Sequence, residues 1–286
     1  MDAKLNLVLP KKFPALLREI PDAPKQLNVR GVLPSEDLKW LAVVGSRAIT
    51  SYGKQVCEYL IEGLRGYPIA IVSGLAYGVD AFAHKTALAV GLPCIGVPGS
   101  GLGWDVLYPR AHVGLAKEIV KSGGALLSEY EPDFKATDYS FPQRNRIMAG
   151  MCHATLIIEA KERSGTLITA RLATDYNREL LIVPGSIFSA TSKGNHQFLK
   201  LGATPITEPV DILKALGIEV RSSGTPLERA DLSPLEIHVL EVISTPCSRD
   251  DLLTQLRLPV SEANILLSTM EIKGLLVEEI GLIRRC

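Results

Sequence analysis

No run in the 286-residue sequence approaches the roughly 18–20 apolar residues of a membrane span. The start, Met1-Asp2-Ala3-Lys4, lacks the charged-then-apolar layout of a secretory leader, so a cytoplasmic protein without membrane contact is expected. Cysteine is sparse: Cys57, Cys94, Cys152, Cys247 and Cys286 are odd in number, scattered and without a C-x-x-C pair, which argues against a disulfide framework and a zinc site. None of the five histidines stands i, i+4 from another histidine or a cysteine, and no metal is assigned. G-x-G-x-x-G and Walker A sequences are both missing, so neither a dinucleotide nor ATP is a first choice and no cofactor is assigned. Net charge is also missing, with 31 basic residues against 31 acidic ones. A polyanion-binding role would therefore depend on a local basic cluster, and residues 231–286, with five basic and nine acidic residues, are the wrong place for it.

What is present is ample material for a core: 47% of the residues are apolar. From Leu41 onward the pattern alternates. Strands are predicted at Leu41–Val44, Ile69–Ser73, Pro93–Val97, Ala125–Ser128, Ala154–Glu159, Leu180–Val183 and Thr204–Ile206. Helices are predicted at Tyr52–Leu64, Val79–Val90, Ala111–Ser122, Asn145–Met151, Leu167–Asn177, His196–Leu201 and Val210–Leu216. Such βα repetition predicts an α/β fold, a doubly wound, Rossmann-like and mostly parallel sheet over residues 41–217. Residues 1–40 carry Pro10, Pro14, Pro21, Pro24 and Pro34 and read as an arm with one short helix, Pro14–Ile20. Glu219–Arg229, rich in Ser, Gly and Pro, places a linker at about 218–230. Beyond it, helices at Leu232–Val242, Ser248–Leu256 and Ser261–Lys273, then a hairpin of Leu275–Glu279 and Leu282–Arg284, form a winged-helix pattern. Its third helix begins SEANILLSTM, without Lys or Arg, so a protein contact or a spacer role is expected of it rather than DNA reading.

The chemistry gathers at strand ends. Val44 precedes Gly45-Ser46-Arg47, Val72 precedes Ser73-Gly74, Val97 precedes Pro98-Gly99-Ser100-Gly101, and Val183 precedes Pro184-Gly185-Ser186. Glycines admit a ligand to the backbone, and in an open α/β sheet these turns converge on one edge. The densest stretch is Phe141–Ala173. There Phe141-Pro142 closes one segment, Arg144 and Arg146 open a helix, and Ser164-Gly165-Thr166 follows a buried strand beside Lys161. Arginine with Ser/Thr/Gly turns is phosphate chemistry. Asp80 and His84, i and i+4 on one helix, read as capping and packing residues, and no nucleophile–base pair stands out.

Several of these segments together resemble the DprA/Smf family of bacterial DNA processing. They are VVGSR with SYG (Val43–Arg47, Ser51–Gly53), VSGLAYGVDAFAHKTAL (Val72–Leu88), GLGWDVLYPRAH (Gly101–His112), SEYEP (Ser128–Pro132), FPQRNRIMAG (Phe141–Gly150), EAKERSGTLITARLA (Glu159–Ala173) and VPGS with GNHQFLKLGA (Val183–Ala203). The resemblance covers about residues 10–215 and continues into a DprA-type winged helix. Relative to longer members, an N-terminal helical SAM-like domain is not expected. Val79 and Met148 stand where isoleucine is commoner, and neither is expected to touch the site. The resemblance implies a non-catalytic protein that binds single-stranded DNA, dimerises, and loads RecA recombinase onto incoming strands in natural transformation, with other recombination or competence proteins as further partners.

On that reading the DNA-binding set is Gly45, Ser46, Arg47, Ser73, Gly74, Gly99, Ser100, Gly101, Arg110, Phe141, Arg144, Arg146, Lys161, Ser164, Gly165 and Thr166. Alternatives stay open for several of them. Arg47 pairs with phosphate or with Glu159. One of Arg144 and Arg146 is structural, paired with Glu129 or Asp133, and the other faces the ligand. Phe141 stacks a base or packs in the core, and Arg110 is a phosphate contact or a solvated loop charge. The rival function is phosphoribohydrolase chemistry, whose P-G-G-x-G-T-x-x-E motif supplies an acid/base glutamate. Thr169 occupies that position here. A nucleotide-sensing regulator using the same cleft is the third reading. Ile187, Phe188, His196, Phe198, Leu199 and Leu201, late in the sheet, form the expected homodimer face, with edge-strand pairing between copies.

Overall fold

The computed structural model describes residues 4–219, 232–243, 247–256, 258–273, 275–279 and 282–285. They fall into two compact units, residues 1–220 and 221–286. The first is built on β3 (Lys39–Val44), KWLAVV, a continuous apolar run of the kind that a parallel strand covered on both faces requires. β4 (Ile69–Ser73), β5 (Cys94–Gly96) and β6 (Ala125–Ser128) are laid beside it in turn, all parallel. The chain then crosses back, and β7 (Ala154–Ile157), β8 (Glu179–Ile182) and the two-residue β9 (Thr204–Pro205) extend the sheet from the other side of β3. The order reverses between β3 and β7. Ligands of open α/β sheets bind in the crevice that such a reversal opens at the carboxyl ends of the strands.

Alternate residues of β3 face two separate cores. Leu41 and Val43 pack against α2 (Ser51–Glu62), α3 (Val79–Ala89), α4 (Val113–Lys121) and α8 (Pro209–Ala215), through Leu60, Ile61, Ala83, Ala116, Ile119 and Ile212. Trp40, Ala42 and Val44 pack against α1 (Ala15–Glu19), α5 (Ser140–Met151), α6 (Thr166–Asp175) and α7 (Lys193–Lys200), through Leu17, Ile147, Met151, Ala170 and Phe198. This is the doubly wound α/β architecture that the βα alternation predicts.

Residues 1–40 depart from the expected arm. β1 (Leu5–Val8) and β2 (Leu27–Gly31) pair with each other and, through β2, with β6, all antiparallel, so nine strands make the sheet. The prolines do not prevent this, because Pro10, Pro14, Pro21 and Pro24 all lie between the two strands. The segment is tied down further by Arg178, whose Nη2 donates to the Leu16 carbonyl at 2.8 Å and pairs with Glu19 Oε2 at 3.0 Å.

A second departure matters for the site. α5 starts at Ser140 rather than Asn145, so Phe141-Pro142 opens the helix instead of ending the preceding segment. Pro142 is tolerated because the N–H groups of a first turn have no intrahelical acceptor to lose.

In the second unit, α9 (Pro234–Val242) begins with a reciprocal capping box. The Glu236 N–H donates to Ser233 Oγ at 3.3 Å and the Ser233 N–H to Glu236 Oε2 at 2.7 Å. α10 (Arg249–Leu256) and α11 (Val260–Ile272) pack with it over Val239, Leu252, Leu267 and Met270. β11 (Leu276–Glu279) and β12 (Leu282–Arg285) form the expected hairpin, and the unexpected β10 (Cys247–Ser248) joins β12 as a third antiparallel strand. Most of the expected linker lies outside the described residues.

Candidate functional site

A cleft of about 540 Å³ opens at the carboxyl ends of β3 and β7, where the strand order reverses. The loop after β3 supplies Gly45, Ser46 and Arg47. The loop after β7 supplies Lys161, Arg163, Ser164 and Gly165 and runs into Thr166 at the start of α6, while α5 contributes Phe141, Arg144, Asn145 and Met148. The two loops are joined directly, since Thr166 Oγ1 donates to the Gly45 carbonyl at 3.1 Å. Ser164 Oγ accepts the Thr166 N–H at 3.2 Å and closes the turn that presents the start of α6. The N–H groups of Thr166, Leu167 and Ile168 are taken up by Ser164 and Gly165 within this turn, so what the helix start offers an anion is its partial positive charge.

Gly78 fixes the β3 loop from below. Its φ of +76° is in the left-handed region, and a Cβ there would lie 2.1 Å from the Ser46 carbonyl oxygen. Only glycine allows this approach. The Ser46 carbonyl accepts the Val79 N–H at 3.1 Å, and the Ser46 hydroxyl turns inward to the Ala48 peptide. Ser46 therefore shapes the loop more than it offers a hydroxyl to a ligand.

Arg47 is exposed, with its guanidinium 5.0 Å from the centre of the Phe141 ring. It does not pair with Glu159. That carboxylate is buried and taken up by Thr50, whose N–H and hydroxyl donate at 3.0 and 2.6 Å, and by the Thr191 hydroxyl at 3.2 Å. Among the described residues, Arg47, Lys161 and Arg163 have no carboxylate within ion-pair distance. Three cations without an ion-pair partner among the described residues thus rim one cleft.

The two arginines of α5 separate as helix geometry requires, because residues two apart point roughly 200° from each other. Arg146 faces away from the cleft, paired with Glu129 and, at 3.8 Å, with Asp22. Arg144 lines the cleft, yet its side chain is buried and donates to the carbonyls of Gly74 and Val97. Burial lowers its pKa to about 10 and Asp80 opposes that shift. Asp80, also buried, accepts the Gly74 N–H at 3.1 Å; burial raises its pKa and Arg144 opposes the rise. Arg144 is the cleft-facing member of the pair, and what it holds is the floor.

Several expected phosphate contacts are structural instead. Ser73 Oγ donates to the Val43 carbonyl at 2.6 Å in the core. Ser100 Oγ accepts the Tyr108 N–H at 3.1 Å, and a Cβ at Gly101 would meet the Glu131 carbonyl oxygen at 2.1 Å. Gly74 and Gly99 leave room for Arg144 and for Phe141 respectively. Arg110 Nη1 donates to the Trp104 carbonyl, away from the cleft lining. A serine or glycine at a strand end serves packing as readily as ligand binding, and the sequence carries no mark that separates the two. Conversely, Asp80, Asp138, Asn145, Arg163 and Thr169 line the cleft without having been assigned to it. Arg163 was within reach of sequence reasoning, because it precedes the Ser-Gly-Thr turn in the same loop as Lys161. Met148 also lines the cleft and Val79 packs against Gly45, so both positions touch the site after all.

Of the expected dimer residues, Ile187, Phe188 and Leu201 are exposed, Phe188 to 90%. Phe198 belongs to the core, Leu199 packs partly against it, and a His196 ring nitrogen lies 3.0 Å from the Gly185 carbonyl oxygen. The edge strand β9 is two residues long and one is Pro205, which has no N–H to offer a second chain. Strand pairing is thereby disfavoured at this edge.

Among the described residues, no group of three His, Cys, Asp or Glu is placed to hold a metal, and no helix is long and apolar enough to cross a membrane.

The sequence profile of the family described as DNA recombination-mediator protein A matches residues 4–217. Protein Smf of Escherichia coli (strain K12) is 42% identical over 204 residues, a match covering 71% of this chain and 54% of that protein, so about half of that relative's length is spanned. DNA processing protein DprA of Streptococcus pneumoniae is 41% identical over 206 residues, 72% of each chain. The solved structure of S. pneumoniae DprA superposes with a TM-score of 0.67 at 38% identity, covering 74% of each chain. A structure of Helicobacter pylori DprA, described for its single-stranded DNA binding mode, superposes with a TM-score of 0.65 at 29% identity, covering 76% of this chain and 98% of that one.

Proposed function

The chain belongs to the DNA recombination-mediator protein A family, and from that premise we propose that it binds single-stranded DNA in the cleft between β3 and β7 without catalysing a reaction. The observation that carries the proposal is the trio Arg47, Lys161 and Arg163. These cations rim a cleft whose floor is rigidly bonded, and none has an acidic partner among the described residues. The three cations, with the positive end of α6 beside them, neutralise phosphates, while the partly exposed ring of Phe141 takes an unpaired base. Nothing in the cleft is shaped to enter a duplex groove. Thr169, in the cleft wall, stands where a phosphoribohydrolase of related fold needs a carboxylate, and its hydroxyl cannot serve as that acid or base.

Loading of RecA onto the bound strand, during natural transformation or recombination, is the role this binding serves. The chain acts as a homodimer in which exposed Ile187, Phe188 and Leu201 meet their counterparts. Two clefts on one assembly raise affinity for strands long enough to reach both. The second unit, net acidic, is a protein contact or spacer with a winged-helix pattern. Competing a labelled oligonucleotide with unlabelled single strand, duplex and mononucleotides tests the proposal. Displacement by single strand alone supports it; displacement by mononucleotides at comparable concentration points to a nucleotide sensor, and by duplex to groove recognition.

A further inference from the structure

The motif YPRAH leaves one residue that the cleft itself does not explain. Tyr108 is exposed, and its ring centre lies 5.6 Å from that of Phe141 at an interplanar angle of 51°. Tyr77, also exposed, closes the other side of a shallow recess that Tyr108 shares with Arg47, Gly74 and Phe141. Arg47 and Phe141 line both this recess and the main cleft, so the two are continuous.

Each tyrosine meets one aromatic ring, Phe141 for Tyr108 and His112 for Tyr77, and otherwise stays exposed. Among the described residues no protein group bonds either hydroxyl, although a tyrosine kept for structure usually buries its ring and bonds its O–H. Both backbones are nevertheless held firmly. The Tyr108 N–H donates to the buried Ser100 hydroxyl at 3.1 Å. Tyr77 precedes Gly78, whose close approach to Ser46 and Arg47 fixes the turn, and its ring meets that of His112 edge-on at 4.9 Å. His112 is anchored in turn, with Nδ1 2.7 Å from the Leu75 carbonyl oxygen. Rigidly mounted rings with open faces cost little entropy when a ligand covers them.

We propose that Tyr108 and Tyr77 continue the cleft as a base-stacking step, so that a strand whose phosphate meets Arg47 places one base on Phe141 and the next on the tyrosine pair. The ligand class is unpaired bases of any sequence, because every base has a face to stack. This inference rests on the single-strand reading and adds to it a direction in which the strand leaves the cleft.

The test compares labelled oligo(dT) with an abasic oligonucleotide of equal length, using wild type, the double variant Tyr77→Ala/Tyr108→Ala, and Tyr77→Phe/Tyr108→Phe. The alanine variant should lose roughly tenfold or more on oligo(dT), the scale of base–aromatic stacking, and keep its abasic affinity. The phenylalanine variant should bind both probes as wild type does. Oligonucleotides carrying 5-iodouracil should, on irradiation, attach to peptides containing Tyr77 or Tyr108. Unchanged oligo(dT) affinity in the alanine variant overturns the proposal, and so does an equal loss on both probes, which would mean that the tyrosines act through the fold. A wild type that binds neither probe fails at the single-strand reading itself and takes this step with it.

Discussion

Asp80 and Arg144 hold the two sides of Gly74: the Gly74 N–H donates to Asp80 Oδ2 at 3.1 Å, and its carbonyl accepts from Arg144 Nη1 at 2.6 Å. Both side chains are buried, and Arg144 lies where any side chain on Gly74 would have to go. Arg144→Met removes the donor to two carbonyls and the positive neighbour of a buried carboxyl. A loss on the order of 2–4 kcal/mol in unfolding free energy is expected. Asp80→Asn keeps an acceptor for the Gly74 N–H and every bond Arg144 donates, losing only the negative neighbour of the buried guanidinium, and should cost less. Urea titration of both variants checks the order, and an Arg144→Met protein of unchanged stability would contradict it.

Arg47 is the opposite case, exposed and with its guanidinium against the Phe141 ring. Arg47→Ala should therefore lose most single-strand affinity while melting at the wild-type temperature. Anisotropy and a thermal scan on the same sample decide it. Normal binding at unchanged melting temperature would remove the cleft from the account.

His84 makes stability depend on pH. It is fully buried, and burial lowers its pKa from 6.5 to about 4 against the opposing pull of a bond to the Ser73 backbone. The unfolded chain then binds the proton more readily than the folded one between those values. This contribution is fully present above 6.5 and is lost as the pH falls toward about 4, by about 3 kcal/mol in all at 1.36 kcal/mol per unit. His84→Met should flatten that part of the profile, as measured by urea midpoints across the range. Parallel wild-type and variant profiles would count against it.

The layout of the first unit was legible from Leu41 onward because parallel strands covered on both faces are plain apolar runs, Ile69–Ser73 and Ala125–Ser128 being recovered to the residue. β1 and β2 were not, since the prolines between them dominate the local signal and the pairing partner, β6, is about 100 residues away. Arg47 and the Ser164–Thr166 turn, singled out by residue type and position, line the cleft. A strand-end serine looks the same in sequence whether it bonds a ligand or, as Ser73 and Ser100 do, a carbonyl or an N–H of its own chain. Arg144 and Arg146 could be told apart only once the helix start at Ser140 had set which face each one takes.

Leu201 is 80% exposed beside a core that already holds Phe198. If this face joins two copies, Leu201→Arg should shift sedimentation from dimer to monomer at micromolar concentration and reduce the preference for long oligonucleotides over short ones. A monomeric wild type, or a variant that stays dimeric, would contradict it.

The central claim is that exposed, unpaired cations in the β3–β7 cleft bind the phosphates of a single strand. Its most direct test is the affinity of the whole chain for a labelled single strand and for its duplex, measured across a salt series. The expected result is preference for the single strand and a log–log slope of roughly −0.7 for each phosphate neutralised, made shallower by about one such step in Arg47→Ala. A salt-insensitive complex, or duplex bound as tightly as single strand, would contradict it.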